Sequence, residues 1–243
     1  MEDNRMRVIL AEKPSVAQSI AAVLGADQKK NGYLQGENDL VSWCIGHLIE
    51  LAPPEIYDAR YAKWRREDLP IVPSAWESVV SDGTKKQFAV LKDLLNRTDV
   101  DEVVCATDAG REGELIFRMV YEKTGCTKPV KRLWISSLEE SAIREGVRSL
   151  KPGTAYDALY RAALCRAQAD WLVGINGTRL YSRLYGTKLN VGRVMTPTLA
   201  MVVQREKEIS VFQVERFYTV QLSCGFLAQS GRIKTREEAE RIR

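Results

Sequence analysis

The sequence has few of the residues that build disulfide frameworks or histidine-rich and cysteine-rich metal sites. Its 243 residues include one histidine and five cysteines, and no two cysteines form a C-x-x-C pair. This spacing argues against a structural zinc site and fits a reduced cytosol. Apolar stretches of roughly 18 residues, signal peptides and lipidation motifs are all missing. We therefore expect a soluble, cytoplasmic protein with no membrane partner.

Charge is nearly balanced over the whole chain but not along it. Lysine and arginine outnumber aspartate and glutamate by 36 to 32, a net charge of +4 that indicates no particular partner. Between residues 161 and 193, six basic residues stand against one acid, Asp170. At about 100° per residue, Arg161, Arg179 and Arg183 fall within about 60° on one helix face. Such a stripe is either a solvated face or a surface for an anionic partner.

Strand patterns alternate with helical patterns through the first 152 residues. The apolar runs lie at residues 7–12, 40–51, 101–108 and 131–136. Pro14 and Gly25 mark the start and end of a helix after the first run, and Gly125 ends the helix after the third. Ser137 and Glu140 predict a capping box for the helix after the last run. This alternation predicts an α/β fold with a parallel, Rossmann-like sheet and helices on both faces.

The pattern changes after residue 152. Long helical stretches without strand signals follow, and a strand pattern returns at 217–226. We predict an α/β domain at 1–152, a mainly helical domain at 153–212 and the start of a β-containing domain at 213–243. Thr235 and Glu238 form a further capping-box pattern near the end, so we expect this chain to be the N-terminal piece of a longer protein.

Three carboxylates are predicted to gather at one edge of the sheet. Glu12 and Asp108 each stand at the end of a predicted strand, and Glu112 follows Asp108 by four residues, on the same helical face. Ligands bind beyond the carboxyl ends of parallel strands, and oxygen ligands select Mg²⁺. The alternative is that Asp108 caps a helix, Glu112 stabilises its first turn and Glu12 is a solvated turn residue.

The residues around these carboxylates resemble a known family. Glu12 in "AEKPS" and the run "TDAGREGEL" are similar to the Toprim domain, the metal-binding module of type IA topoisomerases, some primases and small nucleases. Four more motifs look like the topoisomerase III branch of the type IA topoisomerases: "CIGHLIEL" (44–51), "YAKWRREDLPIVP" (61–73), "ADWLVGINGTRL" (169–180) and "NVGRVMTPTLAMVVQREKEI" (190–209).

One departure from the family pattern concerns the metal site. The family's D-x-D-x-E run has a second aspartate where this chain has Gly110, so "DAGRE" offers two carboxylates instead of three. The resemblance therefore implies a single Mg²⁺ held by Glu12 and Asp108, with Glu112 as direct or water-mediated support.

The resemblance also implies a reaction. In the family, a tyrosine attacks a DNA phosphodiester to give a 5′-phosphotyrosine, and strand passage and religation follow. Glu12 would protonate the departing 3′-oxygen, and Lys13 would stabilise phosphate charge, unless it is only a solvated turn lysine. The nucleophilic tyrosine lies in a later domain of the family, so we expect this chain not to cleave DNA alone.

The same resemblance assigns a surface for single-stranded DNA to parts of this chain. Trp64, among basic neighbours, suits stacking on an unpaired base, and the alternative is a tryptophan covering the core. Trp171 is ambiguous because a tryptophan on an apolar helix usually packs inward. The predicted DNA-binding residues are His47, Trp64, Arg161, Arg166, Asp170, Trp171, Arg179, Asn190, Val191, Gly192, Arg193, Val194 and Met195.

Three functions fit these features. The first is part of a type IA topoisomerase that binds Mg²⁺, single-stranded DNA and negatively supercoiled DNA as a monomer near the nucleoid. The second is a Toprim nuclease or primase-like enzyme that acts without a tyrosine, although the lack of an acid at Gly110 argues against it. The third is a non-enzymatic DNA-binding protein.

Overall fold

A computed structural model describes residues 5–242, and strands and helices alternate along much of this range. The strands are β1 (Met6–Ala11), β2 (Gln28–Lys30), β3 (Tyr33–Gln35), β4 (Asp39–Trp43), β5 (Ile49–Leu51), β6 (Ser78–Val80), β7 (Val100–Ala106), β8 (Val130–Arg132), β9 (Lys151–Pro152), β10 (Gln221–Ser223) and β11 (Leu227–Gln229). The helices are α1 (Pro14–Leu24), α2 (Pro54–Tyr57), α3 (Lys85–Leu95), α4 (Arg111–Thr124), α5 (Glu140–Arg148), α6 (Asp157–Tyr185), α7 (Met195–Ser210) and α8 (Arg236–Ile242).

The main sheet is mixed, with a parallel centre and antiparallel edges. Its strand order is β2-β3-β4-β1-β7-β8-β9. Strands β4, β1, β7 and β8 pair in parallel, whereas β2, β3 and β9 pair with their neighbours antiparallel. The predicted parallel sheet is therefore correct for the centre only. The edge strands are two or three residues long, and β2 and β9 are fully exposed, so they carry no apolar pattern.

Helices cover the sheet on both faces, as predicted. Along β1, Val8 and Leu10 belong to one buried cluster, and Ile9 and Ala11 belong to another. The first cluster includes residues of α3, α4 and α6, and the second includes residues of α1 and α5. This alternation follows from the two-residue repeat of a strand, and it gives three layers.

Proline and glycine set the helix ends where the sequence indicated. Pro14 is the first residue of α1, and Gly25 ends that helix in the left-handed region at φ 72°. Gly125 ends α4 in the same way, also at φ 72°. Without a Cβ, glycine adopts this conformation at little cost, so both helices end cleanly.

Two local predictions near α5 are wrong. Strand β8 stops at Arg132, whereas the predicted strand continued to 136; one further bond, from the N–H of Leu133 to Cys105 O at 2.9 Å, links the chain to β7 beyond that point. The Ser137–Glu140 capping box does not form. Ser137 Oγ accepts the N–H of Glu139 at 3.2 Å, and the helix begins only at Glu140.

Other predicted runs also divide into smaller elements. The apolar run 40–51 contains the end of β4 and all of β5, which lie in different sheets, and Gly46 at φ 65° turns the chain between them. The strand pattern at 217–226 contains β10, which pairs in a short hairpin with β11 just beyond that range. The capping interaction at α8 is present, since Thr235 Oγ1 accepts the N–H of Glu238 at 3.3 Å.

The described chain forms two compact units that divide between Arg193 and Val194. Within the first unit, α6 packs on α4, and Ala163 is buried among core residues of the sheet layer. The long helix α6 therefore packs against the α/β core. Among residues 5–242, the structure has no helix whose length and hydropathy would let it cross a membrane.

Candidate functional site

Glu12 and Asp108 meet at the carboxyl edge of the sheet. Strands β1 and β7 are parallel neighbours whose last residues, Ala11 and Ala106, are paired. Residues that directly follow the two strands therefore emerge side by side. The backbone N–H of Asp108 donates to Glu12 Oε2 at 3.2 Å. The structure thus brings these two predicted carboxylates together across 96 residues of sequence.

Lys13 lies between the two carboxylates. Its Nζ is 4.0 Å from Glu12 Oε1 and 3.9 Å from Asp108 Oδ2. The Lys13 and Asp108 side chains are each 57% exposed, so each contact contributes at most about 1 kcal/mol. The positive charge of Lys13 therefore partly balances the negative potential of the two acids. Because both contacts are weak, the Lys13 ammonium group can turn to another anion.

Glu112 points toward a different partner. It lies in the first turn of α4, with Oε2 3.9 Å from His47 Nε2 and Oε1 3.8 Å from Arg111 Nε. His47, in the loop between β4 and β5, therefore lies beside Glu112. Within residues 5–242, no three histidine, cysteine, aspartate or glutamate side chains are arranged as a ready metal site. The donor chemistry of Glu12 and Asp108 suits Mg²⁺, and Glu112 remains a predicted third ligand.

The two glycines near Asp108 differ in the space around them. A Cβ on Gly113 would lie 2.2 Å from the Asp108 carbonyl oxygen, so only glycine allows α4 to approach this turn. Thr107 Oγ1 also donates to Gly113 O at 2.7 Å. Gly110, in contrast, is extended at φ −179° and has no atom within 4 Å of a Cβ position. Packing therefore does not exclude an acid at Gly110.

Six of the predicted DNA-binding residues line a cavity of about 520 Å³. These are Trp64, Asp170, Trp171, Arg179, Asn190 and Val191. The cavity lies between α6, the loop around α2 and the segment that follows α6. The sequence prediction therefore selected residues that are far apart in the chain but share one concave surface.

Arg179 is buried, so the basic face of α6 is not uniformly solvated. Its Nη1 donates to Tyr61 O at 2.7 Å, and its guanidinium lies 5.4 Å from the Trp64 ring centroid. Burial lowers the pKa of Arg179, and the nearby acids Glu55 and Asp68 act in the opposite direction. Arg179 thus holds the loop that carries Trp64. The Trp64 side chain keeps about a third of its surface exposed (36%), enough for a base to reach it.

Trp171 packs inward, which was one of the two alternatives. Its indole N–H donates to Ala52 O at 3.0 Å, and its ring meets Tyr57 and Trp76 edge to face at 5.9 and 5.4 Å. These contacts fix the floor of the cavity.

Asp170 lies between two arginines. Its Oδ2 is 3.6 Å from Arg166 Nε, and its Oδ1 is 2.7 Å from Arg193 Nε. The second contact is the shorter of the two ion pairs. The ion pair places Arg193 beside the cavity.

Glycines of α6 let the segment 190–192 lie close to the helix. A Cβ on Gly177 would lie 2.8 Å from Val191 Cγ1, and the N–H of Val191 donates to Thr178 Oγ1 at 2.9 Å. Helix α6 is one unbroken element, so these glycines serve close packing. Of the other predicted residues, Gly192 is half-buried, Arg161 is exposed, and Val194 and Met195 are exposed in the second unit.

Sequence reasoning missed several residues that support these sites. Arg132 is the largest fully buried side chain and contacts the turn of Asp108. Asn176 joins α6 to Ile71 across 105 residues. A charged residue within the apolar run "KRLWIS" was the available signal for Arg132, whereas the position of Asn176 carries no signal in the sequence.

Comparisons with known proteins agree with this geometry. The sequence matches the Toprim domain family over residues 7–138 and the DNA topoisomerase family over residues 154–243. It is 50% identical over 214 residues to DNA topoisomerase 3 of Bacillus thuringiensis (strain Al Hakam), covering 88% of this chain and 29% of that protein. It is 47% identical over 239 residues to DNA topoisomerase 3 of Staphylococcus epidermidis, covering 97% of this chain and 34% of that protein.

A solved structure supports the same assignment. Full-length topoisomerase I from Thermotoga maritima matches with a TM-score of 0.64 and 25% identity, over 97% of this chain and 37% of that one. The chain belongs to the Toprim domain family, and its residues 154–243 match the DNA topoisomerase family. It spans 29% and 34% of the length of the two relatives above.

Proposed function

We propose that this chain provides the Mg²⁺-binding and single-strand-binding part of a type IA topoisomerase. The complete enzyme would cleave and religate single-stranded DNA through a 5′-phosphotyrosine and so relax or decatenate DNA. The observation that carries this proposal is the meeting of Glu12 and Asp108 at the ends of adjacent parallel strands, with Lys13 within 4.0 Å of both. Toprim family membership supports the choice of a divalent cation.

The residues at the sheet edge would divide the chemistry. Glu12 and Asp108 would hold one Mg²⁺, supported by Glu112, and the bound ion would position the phosphates that flank the cut. Lys13 would turn its ammonium group from the carboxylates to the scissile phosphate, where it neutralises charge in the transition state. In the cleavage step Glu12, the least exposed of these acids at 12% of its side chain, would start protonated and give that proton to the departing 3′-oxygen; the resulting carboxylate would then be available to hold Mg²⁺ for religation.

Single-stranded DNA would bind in the cavity beside α6. Trp64 offers a ring face for an unpaired base, and Arg179 behind the ring fixes its orientation. Arg166 and Arg193 supply cations for phosphates once the strand competes for their contacts with Asp170. We expect affinity to fall with salt at a slope of about −0.7 per phosphate contact.

The attacking tyrosine would come from another part of the enzyme. Tyr121 and Tyr160 donate their hydroxyls to Lys128 O and Glu122 Oε2, and Tyr57 packs on Trp171. These contacts favour structural roles. We further propose that the chain is a monomer and that it acts in the cytoplasm at the nucleoid.

Calorimetric titration with Mg²⁺ tests the metal proposal. We expect Glu12→Gln and Asp108→Asn to lower affinity about tenfold or more, because each removes one charged ligand. Glu102→Gln is the matched control. Glu102 lies on β7, the strand that leads into the Asp108 turn, but its carboxylate pairs with Lys131 Nζ at 2.8 Å. Equal Mg²⁺ binding by all four proteins would refute the site.

Fluorescence anisotropy with labelled single-stranded DNA tests the second part. Trp64→Ala should weaken binding about tenfold, the value of one stacked base, whereas Trp134→Ala removes another exposed tryptophan and should have little effect. Incubation with Mg²⁺ and DNA should give binding without cleavage. Products with free 5′-phosphates would instead support a Toprim nuclease.

A further inference from the structure

Arg132 is a buried cation that contacts the turn presenting Asp108. Its side chain is fully buried at the end of β8. Nε donates to Glu114 Oε2 at 3.0 Å, and Nη2 donates to Asp108 O at 2.8 Å. Nη1 donates to the carbonyls of Leu133, Thr107 and Cys105 at 2.6, 2.9 and 3.1 Å.

These carbonyls belong mainly to the chain that leaves β7. Beyond Ala106 the strand has ended, so the carbonyls of Thr107, a buried residue, and of Asp108, an exposed one, have no ladder partner. Buried backbone carbonyls need donors, and the planar guanidinium supplies several in fixed directions. The direction of the Asp108 carboxylate and of its N–H, which binds Glu12, depends on this turn.

We propose that Arg132 is a positioning residue of the candidate magnesium site, because it fixes the turn 106–108 from which Asp108 projects. This inference rests on the proposed function for its metal. Arg132 touches neither carboxylate of the site, so it acts only through the backbone of the turn. Glu114 balances the charge of the buried guanidinium, without which burial would be unfavourable.

A second arginine provides a matched control. Arg118 Nε donates to Glu114 Oε1 at 3.1 Å, and its Nη2 donates to Asp157 Oδ1 at 2.8 Å and Gly153 O at 2.7 Å. It shares the same buried acid as Arg132, but its recorded carbonyl partner lies before α6. Arg118→Lys and Arg132→Lys therefore both weaken the Glu114 network, and only the second removes donors from the Asp108 turn.

Two measurements on the 243-residue chain test the inference. Hydrogen exchange of the Asp108 amide without metal should become about tenfold faster in Arg132→Lys and stay within twofold of wild type in Arg118→Lys. Mg²⁺ affinity, measured well below the unfolding temperature, should follow the same pattern. Unchanged exchange at Asp108 in Arg132→Lys, or an equal effect in both variants, would overturn the inference.

A double variant covers the case in which Arg132→Lys does not fold. Arg132→Met with Glu114→Gln removes both charges of the buried pair, and the amide oxygen at position 114 can still accept from Arg118 Nε. It should fold and still show fast exchange at Asp108. If wild type binds no Mg²⁺, the proposed function fails, and exchange at Asp108 still decides whether Arg132 orders the turn.

Discussion

Asn176 gives the sharpest test of how the cavity is held together. Its side-chain amide pairs with both backbone groups of Ile71: Oδ1 accepts the N–H at 2.6 Å, and Nδ2 donates to the carbonyl at 2.9 Å. Nδ2 also donates to Leu172 O at 2.9 Å within α6. Because Ile71 ends up 1% exposed, water cannot replace the lost partners. Asn176→Ala therefore leaves two backbone groups buried and unpaired.

The expected loss follows from the cost of such groups. Each unpaired buried donor or acceptor costs about 1–3 kcal/mol, so the two groups left by Asn176→Ala should lower the free energy of unfolding by about 2–6 kcal/mol. Typical domains have a free energy of unfolding of about 5–15 kcal/mol, so the expected loss is a large fraction of the total stability. The loop before Ile71 carries Trp64, and we also expect single-stranded DNA affinity to fall several-fold.

Urea unfolding followed by tryptophan fluorescence measures this loss, because all five tryptophans precede residue 193 and report on the first unit. Asn176→Asp keeps the acceptor for the Ile71 N–H but places a carboxylate oxygen against the carbonyls of Ile71 and Leu172, so it should lose at least as much stability as Asn176→Ala. Asn38→Ala, at an exposed position of the same unit, should change stability by less than about 0.5 kcal/mol. A change that small in Asn176→Ala would refute the reasoning.

Three further results are expected. Gly113→Ala should lower the free energy of unfolding by about 1–3 kcal/mol and weaken Mg²⁺ binding, because its Cβ would overlap the Asp108 carbonyl. Gly110→Ala has room for a Cβ and should change neither quantity. Urea unfolding and calorimetric titration measure the two effects. Gly110→Asp should raise Mg²⁺ affinity about tenfold by adding a charged ligand, and unchanged affinity would mean that position 110 does not face the ion. Burial raises the pKa of Cys105 to about 11, so iodoacetamide followed by mass spectrometry should label only the exposed thiols, Cys165 and Cys224.

The central fold was predictable because its signals are local. Short apolar runs predicted β1 and β7. Pro14 predicted the start of α1, and Gly25 and Gly125 predicted the ends of α1 and α4, each from a few neighbouring residues. Short edge strands such as β2 have no such signal, because all three of its residues are exposed and only pairing with β3 makes it a strand. The mixed character of the sheet was therefore not visible in the sequence.

The sites were predictable to different extents. Glu12 and Asp108 could be placed together because each follows a parallel strand, and the carboxyl ends of neighbouring parallel strands lie at the same edge of the sheet. From its helical phase, Arg179 was expected on a basic stripe that is either solvated or faces an anionic partner, and the structure buries it because the loop of Tyr61 folds over α6. Helical phase determines which side of α6 a residue occupies, but it does not show what covers that side.

Two buried arginines now connect these observations. Arg132 binds carbonyls of the turn that carries Asp108, and Arg179 binds the carbonyl of Tyr61 in the loop that carries Trp64. A turn or loop that leaves the sheet loses its ladder partners, and an arginine fork replaces them with directed donors. Both candidate sites are thus presented by irregular backbone fixed from behind by a cation. An Arg→Lys change at either position keeps the charge but loses the fork, so it should loosen the corresponding loop more than the underlying sheet.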